Sequence, residues 1–184
     1  MKSAYALTSG PQQEFAVKRI KVLFVCLGNI CRSPTAEGVF RALVEKKGLG
    51  DRIEIDSAGT SGWHQGELPD PRSREEALLH GVDLSDQRSR AVIPGDYTRF
   101  DYICAMDSSN LLELKRNCPS GHGGRLYRLT DFAPELEIQD VPDPYYGGDD
   151  GFANVYRIVE VSATGLLAHI QAHDLACAEG QITR

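Results

Sequence analysis

Ile20-Lys21-Val22-Leu23-Phe24-Val25-Cys26-Leu27-Gly28-Asn29-Ile30-Cys31-Arg32-Ser33-Pro34-Thr35-Ala36 is the stretch whose reading decides the fold. Its first six residues are rich in β-branched and aromatic side chains, the mark of a buried strand. Ser33-Pro34 reads as an N-cap followed by a first-turn proline. Ala36, Val39, Phe40, Leu43 and Val44 then recur at helical spacing, and Gly48 and Gly50 stop the helix. Between strand and helix lies a short loop, Cys26 to Arg32. A strand feeding a helix through so short a loop is the opening of a βαβ unit.

The same alternation continues outward. Ile53 to Ser57 reads as a second strand. Asp70-Pro71 opens a second helix that runs to His80, with Gly81 as a left-handed stop. Phe100 to Met106 reads as a third strand, Asp107-Ser108 as the cap of a helix around Leu111 to Lys115, and Leu126 to Leu129 as a short fourth strand. The last helix carries Phe152, Val155, Val159, Leu166, Leu167 and Ile170 on one face. Strands alternating with helices imply right-handed crossovers and a parallel sheet, with ligands bound at the carboxyl ends of the strands. Residues 1–19 lack a sustained period and read as a mobile N-terminal extension. Residues 20–184 contain no linker long enough to divide them and read as one domain.

Composition narrows the function classes. A net charge of −6 argues against a nucleic-acid or acidic-membrane surface, though not against a small local anion site. The longest apolar run, near Val22 to Leu27, is far too short to cross a bilayer, and the first stretch has no signal-like apolar core. The expectation is a cytoplasmic protein with no membrane insertion. Five cysteines, an odd and sparse set, fit reduced thiols better than a disulfide framework.

The loop after the first strand has the chemistry to match its position. It reads as Cys26, five residues, Arg32, Ser33. A loop wrapping onto a helix N-terminus can turn several backbone N–H groups inward as an anion nest, and the helix dipole adds positive potential. Gly28 and Asn29 tolerate the unusual φ that such a loop needs. A thiol in that field favours its nucleophilic thiolate, Arg32 offers a planar fork for two phosphate oxygens, and Ser33 can donate to sulfur. No glycine-rich nucleotide loop is present. His122-Gly123-Gly124 comes too late and follows no strand.

Val25 to Glu37 closely resembles the signature of low-molecular-weight protein tyrosine phosphatases. Asp56-Ser57-Ala58-Gly59-Thr60-Ser61, Phe100-Asp101-Tyr102-Ile103 continuing to Met106-Asp107, and Asp143-Pro144-Tyr145-Tyr146-Gly147 match as well, in family order, so the resemblance spans about Lys21 to Ile170. It implies a three-layer α/β fold with a four-stranded parallel sheet, helices on both faces and flavodoxin-like winding. It implies phosphate-monoester hydrolysis without a metal or other cofactor. Carried over residue by residue, Cys26 is the nucleophile, Arg32 the phosphate clamp and Asp143 the general acid. Leu27, Gly28, Asn29, Ile30, Cys31 and Ser33 complete the phosphate-binding loop. Ser57 and His80, with Asn29 and Ser33, hold the loop's shape. Asp107 orients the arginine, and Trp63, Tyr145 and Tyr146 wall the substrate ring. The implied partners are phosphotyrosine proteins, a tyrosine kinase among the candidates, and the expected state is a monomer.

Some residues admit a plainer reading. Cys31 is either a small hydrophobe under the loop or a partner for oxidised Cys26. His169 and His173, four apart on the last helix, make a surface pair without a third metal ligand. His64 reads as a rim residue. An arsenate reductase on the same scaffold needs further relay thiols, and Cys104, Cys118 and Cys177 are not placed for one. A binding module without turnover would not need all of Cys26, Arg32 and Asp143.

Overall fold

The computed structural model describes residues 19–120, 125–146, 148 and 150–176. The expectations for residues 1–18, His122-Gly123-Gly124 and Cys177 lie outside these. Arg19 reaches Gly50 O at 3.1 Å through Nη2.

Four strands, β1 (Ile20–Cys26), β2 (Ile53–Gly59), β3 (Tyr102–Ala105) and β4 (Arg125–Arg128), form one parallel sheet in the order β2-β1-β3-β4. The helices are α1 (Arg32–Lys46), α2 (Pro71–Leu79), α3 (Asp96–Arg99), α4 (Ser108–Asn117) and α5 (Gly151–Ile170). The chain winds one way from β1 to β2 and the other way from β1 to β3. The crevice where the winding reverses therefore opens at the carboxyl end of β1, where Cys26 sits.

Strand alternation separates two cores. Val22, Phe24 and Cys26 face α1 and α5, where Phe24 meets Phe40 edge to face at 5.4 Å. Leu23 and Val25 face the opposite layer with Tyr97, Phe100, Ile103 and Leu114. The three-layer expectation thus holds, and β1 is buried on both faces because both layers cover it.

Several boundaries differ from the sequence reading. Helix α1 starts at Arg32, with Cys31 rather than Ser33 in the cap position. The Ser33 hydroxyl is committed to the loop instead, which explains why it does not cap. Helix α2 ends at Leu79, and Gly81 takes the expected left-handed turn at φ 78°. Short α3 and the 3₁₀ turns Leu129–Phe132, Pro134–Leu136 and Pro144–Tyr146 were not anticipated, because elements this short show no periodicity. A π-helical turn, Gln171–Leu175, extends α5. No helix among the described residues is long and apolar enough to cross a membrane.

Candidate active site

The loop from Cys26 to Arg32 is held from outside by its carbonyls. Cys26 O accepts from Thr60 N (2.8 Å), Leu27 O from Ser61 N (2.9 Å) and Ile30 O from Asp70 N (2.7 Å). Gly28 O accepts from the Ser89 hydroxyl at 3.1 Å. With these carbonyls turned outward, the N–H side of the loop faces in, which is the geometry of an anion nest. Asn29 N–H donates to Cys26 Sγ at 3.2 Å. The N-terminus of α1 closes the same loop, so its first amides add to the positive field.

Asn29 is the keystone of the loop. Its φ of 53° lies in the left-handed region, where asparagine is among the few side chains tolerated. Its Nδ2 donates to Ser33 Oγ and to Ser57 Oγ, each at 2.9 Å, while its Oδ1 accepts from Arg90 N at 2.9 Å. Ser33 Oγ in turn lies 3.0 Å from Cys26 Sγ. The Ser57 hydroxyl donates to Glu37 Oε2 at 2.6 Å. A continuous hydrogen-bonded chain therefore runs from the buried Glu37 carboxyl to the thiol.

The sequence motifs give Glu37 no role of its own. It stands one turn beyond Ser33 on the face of α1 that buries Ala36 and Phe40, and an acid on an apolar face was the available signal. Burial pushes its carboxyl up to about 7, against the opposing pull of Ser57 and Arg41.

Arg32 lies just inside the loop, with only 4% of its surface exposed. Its Nη1 donates to Asp107 Oδ2 (2.6 Å) and Val141 O (3.1 Å), and its Nη2 to Asp143 Oδ2 (3.2 Å). Asp107 serves two elements, since its other oxygen caps α4 by accepting from Asn110 N at 2.7 Å. Asp143 Oδ1 accepts from Tyr145 N at 3.0 Å, an Asx-type turn that sets the carboxylate toward the loop.

A cavity of about 310 Å³ opens over the loop, lined by Cys26, Leu27, Gly28, Ile30, Cys31, Arg32, Trp63, His64, Asp143 and Tyr145. Trp63 and Tyr145 stand at its mouth, 77% and 56% exposed, as a rim of aromatic side chains. His64 joins them, its Nδ1 2.7 Å from Glu67 Oε2. Tyr146 belongs to the same 3₁₀ turn, but its side chain lies outside the described residues.

His80 is a correction. It does not reach the loop. Its Nε2 lies 3.1 Å from Glu76 Oε1, and its ring stacks on Tyr156 at 3.9 Å. The reason is the direction of α2: Asp70, which caps its start, donates its N–H to Ile30 O of the loop, and His80 lies at the far end, roughly 13 Å along the axis. Glu37 receives the Ser57 hydrogen bond in its place. Cys31 is buried, and that burial, reinforced by Asp70, pushes its thiol up to about 12. Cys26, Cys31 and Cys104 are free thiols. His169 and His173 stack at 4.2 Å, and no group of three or more metal-ligating side chains occurs among the described residues.

Comparison with known proteins gives a consistent answer. Residues 21–175 match the family model described as low molecular weight phosphotyrosine protein phosphatase. A low molecular weight protein-tyrosine-phosphatase of Streptomyces coelicolor is 47% identical over 154 residues, covering 82% of this chain and 93% of its own. The structure of a protein tyrosine phosphatase from Entamoeba histolytica superposes with a TM-score of 0.80 at 40% identity, covering 83% of this chain and 97% of its own. A Drosophila arginine phosphatase superposes with a TM-score of 0.78 at 34% identity, covering 84% of this chain and all of its own.

Proposed function

The chain belongs to the low molecular weight phosphotyrosine protein phosphatase family, and from that premise we propose that it hydrolyses phosphotyrosine in proteins through Cys26, Arg32 and Asp143. The observation that carries this reading is their meeting in one cavity. Arg32 and Asp143 are 111 positions apart and in contact, and Cys26 Sγ lies in the same pocket.

The chemistry runs in two displacements. The Cys26 thiolate attacks phosphorus in line, and the bond from phosphorus to the phenolic oxygen breaks. Asp143 gives its proton to that oxygen, releasing the phenol and leaving a cysteinyl-phosphate. Water then attacks phosphorus while Asp143 takes its proton, the sulfur–phosphorus bond breaks, and inorganic phosphate leaves with the thiolate restored. The loop amides and the Arg32 fork stabilise the charge on the equatorial oxygens, usually the largest electrostatic contribution. Ser33 donates to sulfur as a leaving group in the second step.

The walls support an aryl substrate. Leu27, Ile30, Trp63 and Tyr145 offer flat and apolar surface to a phenyl ring, and among the described residues Asp143 is the one carboxylate lining the pocket. A phosphoarginine side chain, the substrate class suggested by the name of the Drosophila relative, would bring a cationic guanidinium into this apolar mouth. The partners proposed are phosphotyrosine proteins.

The test is para-nitrophenyl phosphate hydrolysis near pH 6 with EDTA present. The unsubstituted protein should turn over, Cys26→Ser should be inactive, and Asp143→Asn should lose on the order of 10²–10⁴-fold in kcat. No turnover by folded, reduced protein, or full activity in Cys26→Ser, would overturn the assignment.

A further inference from the structure

Arg72 stands between the phosphate loop and the acid loop without lining the pocket. It lies in the first turn of α2, beside Asp70, whose backbone N–H donates to Ile30 O of the phosphate loop at 2.7 Å. Asp70 then grips the guanidinium along one edge: Oδ1 accepts from Nε at 3.0 Å and Oδ2 from Nη2 at 2.9 Å. Asp70 Oδ1 also caps α2 by accepting from Arg72 N at 2.9 Å. A guanidinium held this way has a fixed plane, and its faces become platforms.

Arg72 Cζ sits over two aromatic rings. The Tyr145 ring centroid lies 5.4 Å from Arg72 Cζ, and the Phe152 ring centroid lies 4.6 Å away. Tyr145 belongs to the wall of the pocket, and Phe152 to the first turn of α5. Both distances fall within the range of an attractive cation–ring contact. An exposed Arg–Asp pair alone would carry little. Here the pair is bidentate, is anchored to the phosphate loop, and supports two aromatic faces.

We propose that Arg72 is a positioning residue that sets the Tyr145 wall, and with it Asp143, at a fixed distance from the Cys26 loop. The link to the acid is the Tyr145 N–H, which donates to Asp143 Oδ1 at 3.0 Å. Arg72 does not line the cavity, so it acts through Tyr145 rather than on the phosphate. The inference rests on the catalytic reading above and assigns the recognition of the substrate ring to a bracket of Asp70, Arg72, Tyr145 and Phe152.

The test separates the ring from the phosphate. Two anions are titrated into the full-length protein, inorganic phosphate and benzylphosphonate, with binding read from the emission of Trp63. That residue is the chain's single tryptophan and lines the cavity. Arg72→Met should weaken benzylphosphonate by about two- to tenfold, the size of a cation–ring contact. Inorganic phosphate affinity should stay within about twofold, because the loop is untouched. In a Tyr145→Leu background, Arg72→Met should add no further loss. Arg72→Lys, which keeps the cation but not the fork, reads the same ratio should the methionine variant fail to fold. Equal losses for both anions would make Arg72 a support of the loop and overturn the proposal. So would a loss that persists without the Tyr145 ring, or no loss at all. Failure of the catalytic reading looks different: the unsubstituted protein would bind neither anion, and the proposal would fall with it.

Discussion

At the residue scale, the most consequential side chain is one with no obvious chemistry of its own. Glu37 closes the hydrogen-bonded chain through Ser57, Asn29 and Ser33 to the thiol. Its carboxyl sits near 4.5 in an unfolded chain and is pushed up to about 7 in the folded protein, chiefly by burial. A raised carboxyl favours the folded state while protonated. That contribution is fully present below about pH 4.5 and is lost as pH rises through about 7, to a total of about 3 kcal/mol. Glu37→Gln keeps an acceptor for Ser57 but cannot ionise. Urea unfolding at pH 5 and pH 8 should therefore show the variant gaining on the parent as pH rises, and parallel curves would refute the assignment. The sequence made Cys26, Arg32 and Asn29 legible because the phosphate loop uses consecutive residues. Glu37 was hidden because its partner Ser57 comes from another strand, and His80 was misplaced because a residue's distance along α2 from the loop is not visible in a motif.

At the scale of elements, close packing explains two glycines that local propensity would reject. Gly165 lies inside α5, where glycine costs about 1 kcal/mol relative to alanine. A Cβ there would come within 1.8 Å of Phe132 O, so the helix can reach the 3₁₀ turn Leu129–Phe132 only without a side chain. Gly165→Ala should lower stability by about 1–3 kcal/mol despite its better helix propensity, as over-packing does. A rise in thermal midpoint would show that α5 can shift away. Gly59 ends β2 for a related reason: a Cβ would stand 2.7 Å from Leu27 O, the carbonyl that Ser61 holds. The helices and strands themselves were legible from periodicity. The missed pieces, α3 and the 3₁₀ turns, are too short for a period and are shaped by what they pack against.

At the scale of the molecule, the site is an assembly of segments that meet only in the folded state. Cys26 ends β1, Asp107 follows β3, and Asp143 lies beyond β4, tied back where Val141 N donates to Met106 O at 2.8 Å. An anion bound there should stabilise the whole domain. At ten times its dissociation constant, inorganic phosphate should add about 1.4 kcal/mol, seen as a raised thermal midpoint. Cys26→Ser should retain that rise, whereas Arg32→Ala should lose most of it. An equal rise in both variants would place the bound phosphate elsewhere. The linear chain by itself determined the alternating pattern, the parallel sheet and the nucleophile's loop, since each depends on residue types at short spacing. The motifs name Asp143, Ser57 and Asp107 for that loop, and the tertiary structure alone decided which atoms meet there and that Glu37 joins them. Glu37 and Ser57, Arg32 and Asp143, and Arg72 and Tyr145 are paired by the sheet order and by the directions of α1 and α2. Contacts of that kind follow from where elements pack, and spacing along the chain carries no record of them.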